Sequence, residues 1–101
     1  MADPLSPATE ELGKRVRTFR LELHLTQEEL AAAAEIDWTT VGKIERGLRN
    51  PNMHNLIRIA RALGKDPSEL LVGMTLEMTP QRQHRPPPGQ RYDEKRRRPP
   101  A

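Results

Sequence analysis

The 101-residue chain contains no cysteine, so neither a disulfide framework nor a cysteine-based zinc site is open to it. Aromatic residues are scarce, with one each of Phe, Tyr and Trp. Any core must therefore be built from Leu, Ile, Val, Ala and Met. No apolar run approaches the ~20 residues that a membrane span requires. Met1 to Pro7 lacks the basic and apolar regions of a secretory signal, which makes a soluble cytoplasmic protein the expectation. His24, His54 and His84 are scattered without metal-ligand spacing, and there is no Gly-rich phosphate loop. The acidic pairs Glu10/Glu11 and Glu28/Glu29 fall in the first turns of expected helices, where compensation of the helix dipole accounts for them. Neither catalysis nor a resident metal or cofactor is expected.

Positive charge is also short where the chain should fold. Residues 79–101 hold seven Lys/Arg against Asp93 and Glu94, a net +5, which leaves −2 for residues 1–78 out of the whole-chain +3. The high isoelectric point thus describes the tail. Any nucleic-acid argument for the remainder must rest on where individual basic residues sit.

What the chain does have is helix punctuation. A disordered N-terminus is expected over 1–7, a folded unit over 8–78 and a disordered basic, Pro/Arg-rich tail over 79–101. Ser6 and Thr9 are both suited to capping a first helix that runs to about His24, with Leu12, Val16, Phe19 and Leu23 on one face. Thr26 and Glu29 form a capping-box pattern ahead of a second helix, about Gln27 to Ala34, which buries Leu30, Ala31 and Ala34. Asp37 is placed to cap a third, about Trp38 to Arg46, which Gly47 ends. A fourth, about Met53 to Leu63, follows Asn52, turns Leu56, Ile59, Ala60 and Leu63 inward, and stops at Gly64. A fifth starts at Asp66-Pro67 with Glu69 as its capping partner and faces Leu70 and Leu71 inward. Val72 to Thr79 alternates apolar and polar residues, as a short edge strand or an apolar contact surface would. The fold class is all-α, five helices on short connections.

The second and third helices, joined by a tight turn, have the dimensions of a helix-turn-helix whose second member fits the DNA major groove. With Trp38 at 0° on a helical wheel, Val41 and Ile44 fall at about 300° and 240°, on the buried side. Thr39, Lys43 and Arg46 fall at about 100°, 140° and 80°, facing out. They offer a hydroxyl, an ammonium and a guanidinium to base edges or phosphates; the plain alternative is the solvated face of an amphipathic helix. Trp38 and Thr40 lie at the border: Trp38 for DNA contact or for packing against the second helix, Thr40 for a phosphate or for local packing. Gln27, in the first turn of the second helix, is a candidate phosphate anchor, as are Arg49 and Asn50 in the loop after Gly47. Glu45 projects towards the buried side, where an unpaired carboxylate is costly. Arg20, at the edge of the first helix's stripe, is its expected ion-pair partner, locking the two helices in orientation.

Leu12 to Arg20, LTQEELA at 25–31, KIERG at 43–47, NP at 50–51, LIRIARALG at 56–64 and DPSELL at 66–71 together resemble the lambda-repressor-like domain of the xenobiotic-response-element family of bacterial and phage regulators. The resemblance covers about residues 9–73. It implies binding to double-stranded operator DNA, usually as homodimers on near-palindromic sites. By position it implies that Gln27 anchors a phosphate and that Trp38, Thr39 and Lys43 read bases; Thr40, Arg46, Arg49 and Asn50 are DNA-backbone candidates on their own chemistry. Arg20 and Glu45 match the family's internal ion pair. Two residues depart from the pattern: Glu35 stands where the turn usually has glycine, and Gly42 lies inside the third helix.

The expected function is a sequence-specific transcription regulator, a homodimer at the nucleoid, with Leu71, Met74, Leu76 and Met78 as candidate dimer contacts. The competing function is an antitoxin or protein-interaction module that turns the same fold, or that apolar stretch, towards a protein partner.

Overall fold

The computed structural model describes residues 2–81. Five α-helices follow in order: α1 (Pro7–Glu22), α2 (Gln27–Ala34), α3 (Trp38–Glu45), α4 (Met53–Ala62) and α5 (Ser68–Leu71). A single 3-10 turn at Leu76–Met78 comes last. No strand occurs among the described residues.

Most helix starts are fixed by local side chains. Ser6 Oγ accepts the Thr9 N–H at 3.1 Å while Thr9 Oγ1 accepts the Ser6 N–H at 3.0 Å. Thr26 and Glu29 exchange the same two bonds at 3.0 and 2.8 Å. Asn52 Oδ1 accepts from the Asn55 N–H at 2.8 Å. Asp66 Oδ1 accepts from Ser68, and Glu69 Oε2 accepts from Asp66, both at 2.9 Å. Each satisfies amide donors that the first helical turn leaves without a partner.

The ends of α1 to α4 share one closure. After each helix a left-handed residue, His24, Glu35, Gly47 or Gly64, donates its N–H three residues back, and the next residue donates five residues back. This is the Schellman arrangement. Glycine enters it freely at Gly47 (φ 76°), but Glu35 (φ 57°) and His24 (φ 56°) do so against a penalty of ~1 kcal/mol or more. At Glu35 the apolar contact that accompanies the motif is present: Ile36 bonds back to Ala31 at 3.0 Å and packs on the core.

The core is Leu12 and Val16 of α1, Leu30, Ala31 and Ala34 of α2, Val41 and Ile44 of α3, Ile59, Ala60 and Leu63 around α4, and Leu70 of α5. The α3 helix packs on α1 and α2, α2 also packs on α4, and α5 closes the bundle against α1 and α4. No helix among the described residues is long and apolar enough to cross a membrane.

Several expectations differ from the structure. The first helix stops at Glu22, so Leu23 leaves the buried stripe and is exposed. With α5 reduced to one turn, Leu70 is buried but Leu71 is 46 % exposed. Val72–Thr79 is a turn followed by the 3-10 segment, with Met74 packed on the core and Leu76 78 % exposed. Residues 2–6 are not free of the domain: the Leu5 N–H donates to Gly47 O at 2.9 Å, and Ser6 is buried. A chain end held by a backbone bond to the end of α3 carries no sequence pattern that would announce it. The tail expectation falls, from residue 82 onwards, outside the described residues.

Candidate nucleic-acid interface

The outward side of α3 is positioned by what holds its inward side. Val41 and Ile44 are fully buried, and Gly13 of α1 meets the helix at the carbonyls of Ile44 and Glu45. A Cβ on Gly13 would lie 2.5 Å from both oxygens, so only glycine lets α1 pass so close to α3. Nothing in the apolar periodicity of the first helix marks Gly13 as this contact. Its place one residue after Leu12 on the buried side is the one available hint.

Arg20 then ties three segments together. Its Nε and Nη2 donate to Glu45 Oε2 and Oε1 at 2.6 and 2.9 Å, a bidentate pair, and its Nη1 donates to Leu25 O at 2.8 Å. Both side chains are more than nine-tenths buried. The hydrogen bonds to Glu45 hold the Arg20 guanidinium charged, above its ordinary value, against the opposing effect of burial. Gln27 joins the same carboxylate, donating Nε2 to Glu45 Oε1 at 3.0 Å. One of its two amide hydrogens is thereby committed, and the position of the amide is set by the ion pair.

The structure brings together Gln27, Trp38, Thr39, Gly42, Lys43 and Arg46 around one open depression of about 400 Å³. A neighbouring hollow of about 450 Å³ is lined by Arg20, Thr26, Gln27, Glu28 and Trp38. Trp38 lies between the two and is 53 % exposed, so its ring does not fold away into the core. Lys43 is half-buried, and Thr39 and Arg46 are exposed. Arg46 follows the last residue of α3 and folds back, its Nε donating to Gly42 O at 3.2 Å. Thr40 is half-buried at the margin. Arg49 is exposed in the loop beyond Gly47, and Asn50 lines a separate cavity of about 80 Å³ with Pro51, Leu71 and Met74. Among the described residues, no group of three or more His, Asp or Glu is placed to hold a metal ion.

Two further features bear on this face. Asp37 precedes α3 but makes no capping bond to its backbone. Its Oδ2 accepts the Thr39 hydroxyl at 2.6 Å instead. Thr26 Oγ1 takes the Glu29 N–H. That leaves the N–H groups of Gln27 and Glu28 without an intrahelical acceptor at the positive end of α2.

A helix-turn-helix family profile matches residues 16–70, more than half of the chain, from the middle of α1 into α5 and with α2 and α3 entire. The chain belongs to the helix-turn-helix family. Its lambda-repressor-like character agrees with its relatives. It is 40 % identical over 60 residues to the control protein C.BamHI of Bacillus amyloliquefaciens, covering 58 % of this chain and 74 % of that one. Among solved structures it is similar to the restriction-modification controller protein C.AhdI of Aeromonas hydrophila, with 39 % identity and a TM-score of 0.60 over 61 % of this chain and 94 % of the other. It is also similar to the P22 c2 repressor, solved in complex with a synthetic operator, with 30 % identity and a TM-score of 0.58 over 62 % and 96 %. Members of this helix-turn-helix family are DNA-binding transcription regulators and not enzymes.

Proposed function

We propose that this helix-turn-helix protein regulates transcription as a homodimer, each copy inserting α3 into the major groove of one half of a near-palindromic operator. The observation that carries the reading is the bare outward side of α3 above an immobilised inward side. Trp38, Thr39 and Lys43 read bases. Gln27, Thr40, Arg46, Arg49 and Asn50 meet the sugar-phosphate backbone, Gln27 with its second amide hydrogen beside the free N–H groups of α2. The copies meet through Leu71, Met74, Leu76 and Met78; the exposure of Leu71 and Leu76 is what a second copy would cover. The unit that does this runs to residue 78 and includes Leu5 and Ser6, which are attached to it, and the net +5 of residues 79–101 adds sequence-independent attraction to DNA. A cytoplasmic, nucleoid-associated location is part of the same proposal.

The likeness to C.AhdI, a restriction-modification controller protein, supports the finer reading, control of a restriction-modification system. The test is quantitative binding to operator and unrelated duplexes. Lys43→Ala is expected to weaken operator binding by ~1–3 kcal/mol and to relax one base position, whereas Gln27→Ala weakens binding to all sequences alike. Equal losses for both substitutions on every duplex would sink the assignment of α3 as the reading helix.

A further inference from the structure

Asp37 stands where a side chain ordinarily caps the following helix, yet its carboxylate leaves the backbone of α3 alone and takes the Thr39 hydroxyl at 2.6 Å. Both residues are exposed; Thr39 lines the depression with Trp38 and Lys43, and the Asp37 carboxylate is joined to that face through this bond. The bond changes what that face can say chemically. A threonine hydroxyl has one proton and two acceptor sites, and a carboxylate has acceptor sites only. With its proton committed to Asp37, Thr39 has no donor left to point outward. The two side chains therefore present acceptors and nothing else.

In the major groove the groups that meet an acceptor are the exocyclic amines, cytosine N4 and adenine N6; guanine and thymine present acceptors there. We infer that Asp37 is a specificity-determining residue, which with Thr39 reads an exocyclic amine on one operator base pair. The inference rests on α3 being the reading helix, as proposed above. Lys43 follows Thr39 by four residues and so lies one turn along the same stripe, ~5–6 Å away. That helix face would carry an acceptor pair at its start and a donor next to it, addressed to neighbouring base pairs of opposite polarity. A carboxylate beside phosphates is repelled unless a donor meets it. Asp37 accordingly lowers affinity for DNA in general while favouring duplexes that supply the amine, which is how a repulsive element sharpens selection.

Selection of bound duplexes from a random pool, with the full chain and its Asp37→Ala, Asp37→Asn and Lys43→Ala variants, tests this. The unaltered protein should require cytosine or adenine at one position. Asp37→Ala should lose that preference on the order of tenfold at this position alone, with binding to unrelated duplexes rising. Asp37→Asn keeps the shape of the side chain, and so reports if the alanine variant unfolds by circular dichroism. It carries a donor beside its acceptor and should turn the preference towards adenine. If Lys43→Ala relaxes a position and neither Asp37 variant relaxes or changes any, the inference is overturned while the reading helix stands. If no variant alters any position, both fall.

Discussion

On the side of α3 that faces the core, Val41 and Ile44 expose no surface, Gly13 presses against the last carbonyls, and Glu45 accepts three hydrogen bonds from Arg20 and Gln27. On the opposite side Trp38, Thr39 and Arg46 are exposed, and the polar bonds are short-range ones, Thr39 to Asp37 and Arg46 to Gly42. An eight-residue helix is too short to be stable alone. Its free side can be kept bare only because its other side is held by two neighbouring helices. Rigidity and availability are thus supplied by different residues, and substitutions should separate them.

Arg20→Ala should have the largest effect. It leaves the buried Glu45 carboxylate with Gln27 as its remaining partner, and stability should fall by about 3–5 kcal/mol in a denaturant titration. A loss under about 1 kcal/mol would mean that Glu45 is hydrated. The paired change Arg20→Met with Glu45→Leu should return stability to within about 1 kcal/mol of the original. Operator binding should nevertheless stay weakened, because Gln27 has lost the carboxylate that orients it. Gly13→Ala comes next, at about 1–3 kcal/mol, since α1 must move off two backbone carbonyls; an unchanged melting midpoint would mean that the helices separate at no cost.

On the bare side the signs reverse. Gly42 has room for a methyl group, whose nearest neighbour would be Gln27 Oε1 at an ordinary 3.5 Å. Gly42→Ala should therefore raise stability by about 1 kcal/mol through helix propensity, read as a higher melting temperature. If operator binding drops as stability rises, the glycine serves close approach to DNA.

The smallest effect is electrostatic. Glu29 is held below its ordinary carboxyl value by the Thr26 backbone N–H. A group whose pKa is lowered by folding stabilises above its unfolded value, near 4.5, and loses that contribution as pH falls through its folded value. Glu29→Gln should leave the protein with a shallower loss of stability below about pH 4.5.

The helix ends show how much could be read without coordinates. Gly47 and Gly64 announce their turns because glycine alone is free of the left-handed penalty, and both were legible. His24 and Glu35 adopt the same closure with no composition signal. Glu35 stands out only against the family resemblance, and His24 reads as the last residue of a helix. The capping box at Thr26, the bond of Glu69 back to Asp66 and the Arg20–Glu45 pairing are legible from spacing, since they depend on two or three residues at known offsets. At α5 the other half of the box is missing, because Asp66 accepts from Ser68 and the helix starts one residue late. The Thr39–Asp37 bond is not legible. Its position makes Asp37 a cap, and only the rotation of its side chain shows which donor it takes.

The order, extent and buried stripes of the helices follow from local propensity, caps and period, all of which act over a few residues and are written into neighbouring positions. The near contact of Gly13 with α3, the attachment of Leu5 to Gly47 and the partner chosen by Asp37 were decided by tertiary structure. Each depends on distances between segments, or on one rotamer among several, that no local pattern encodes.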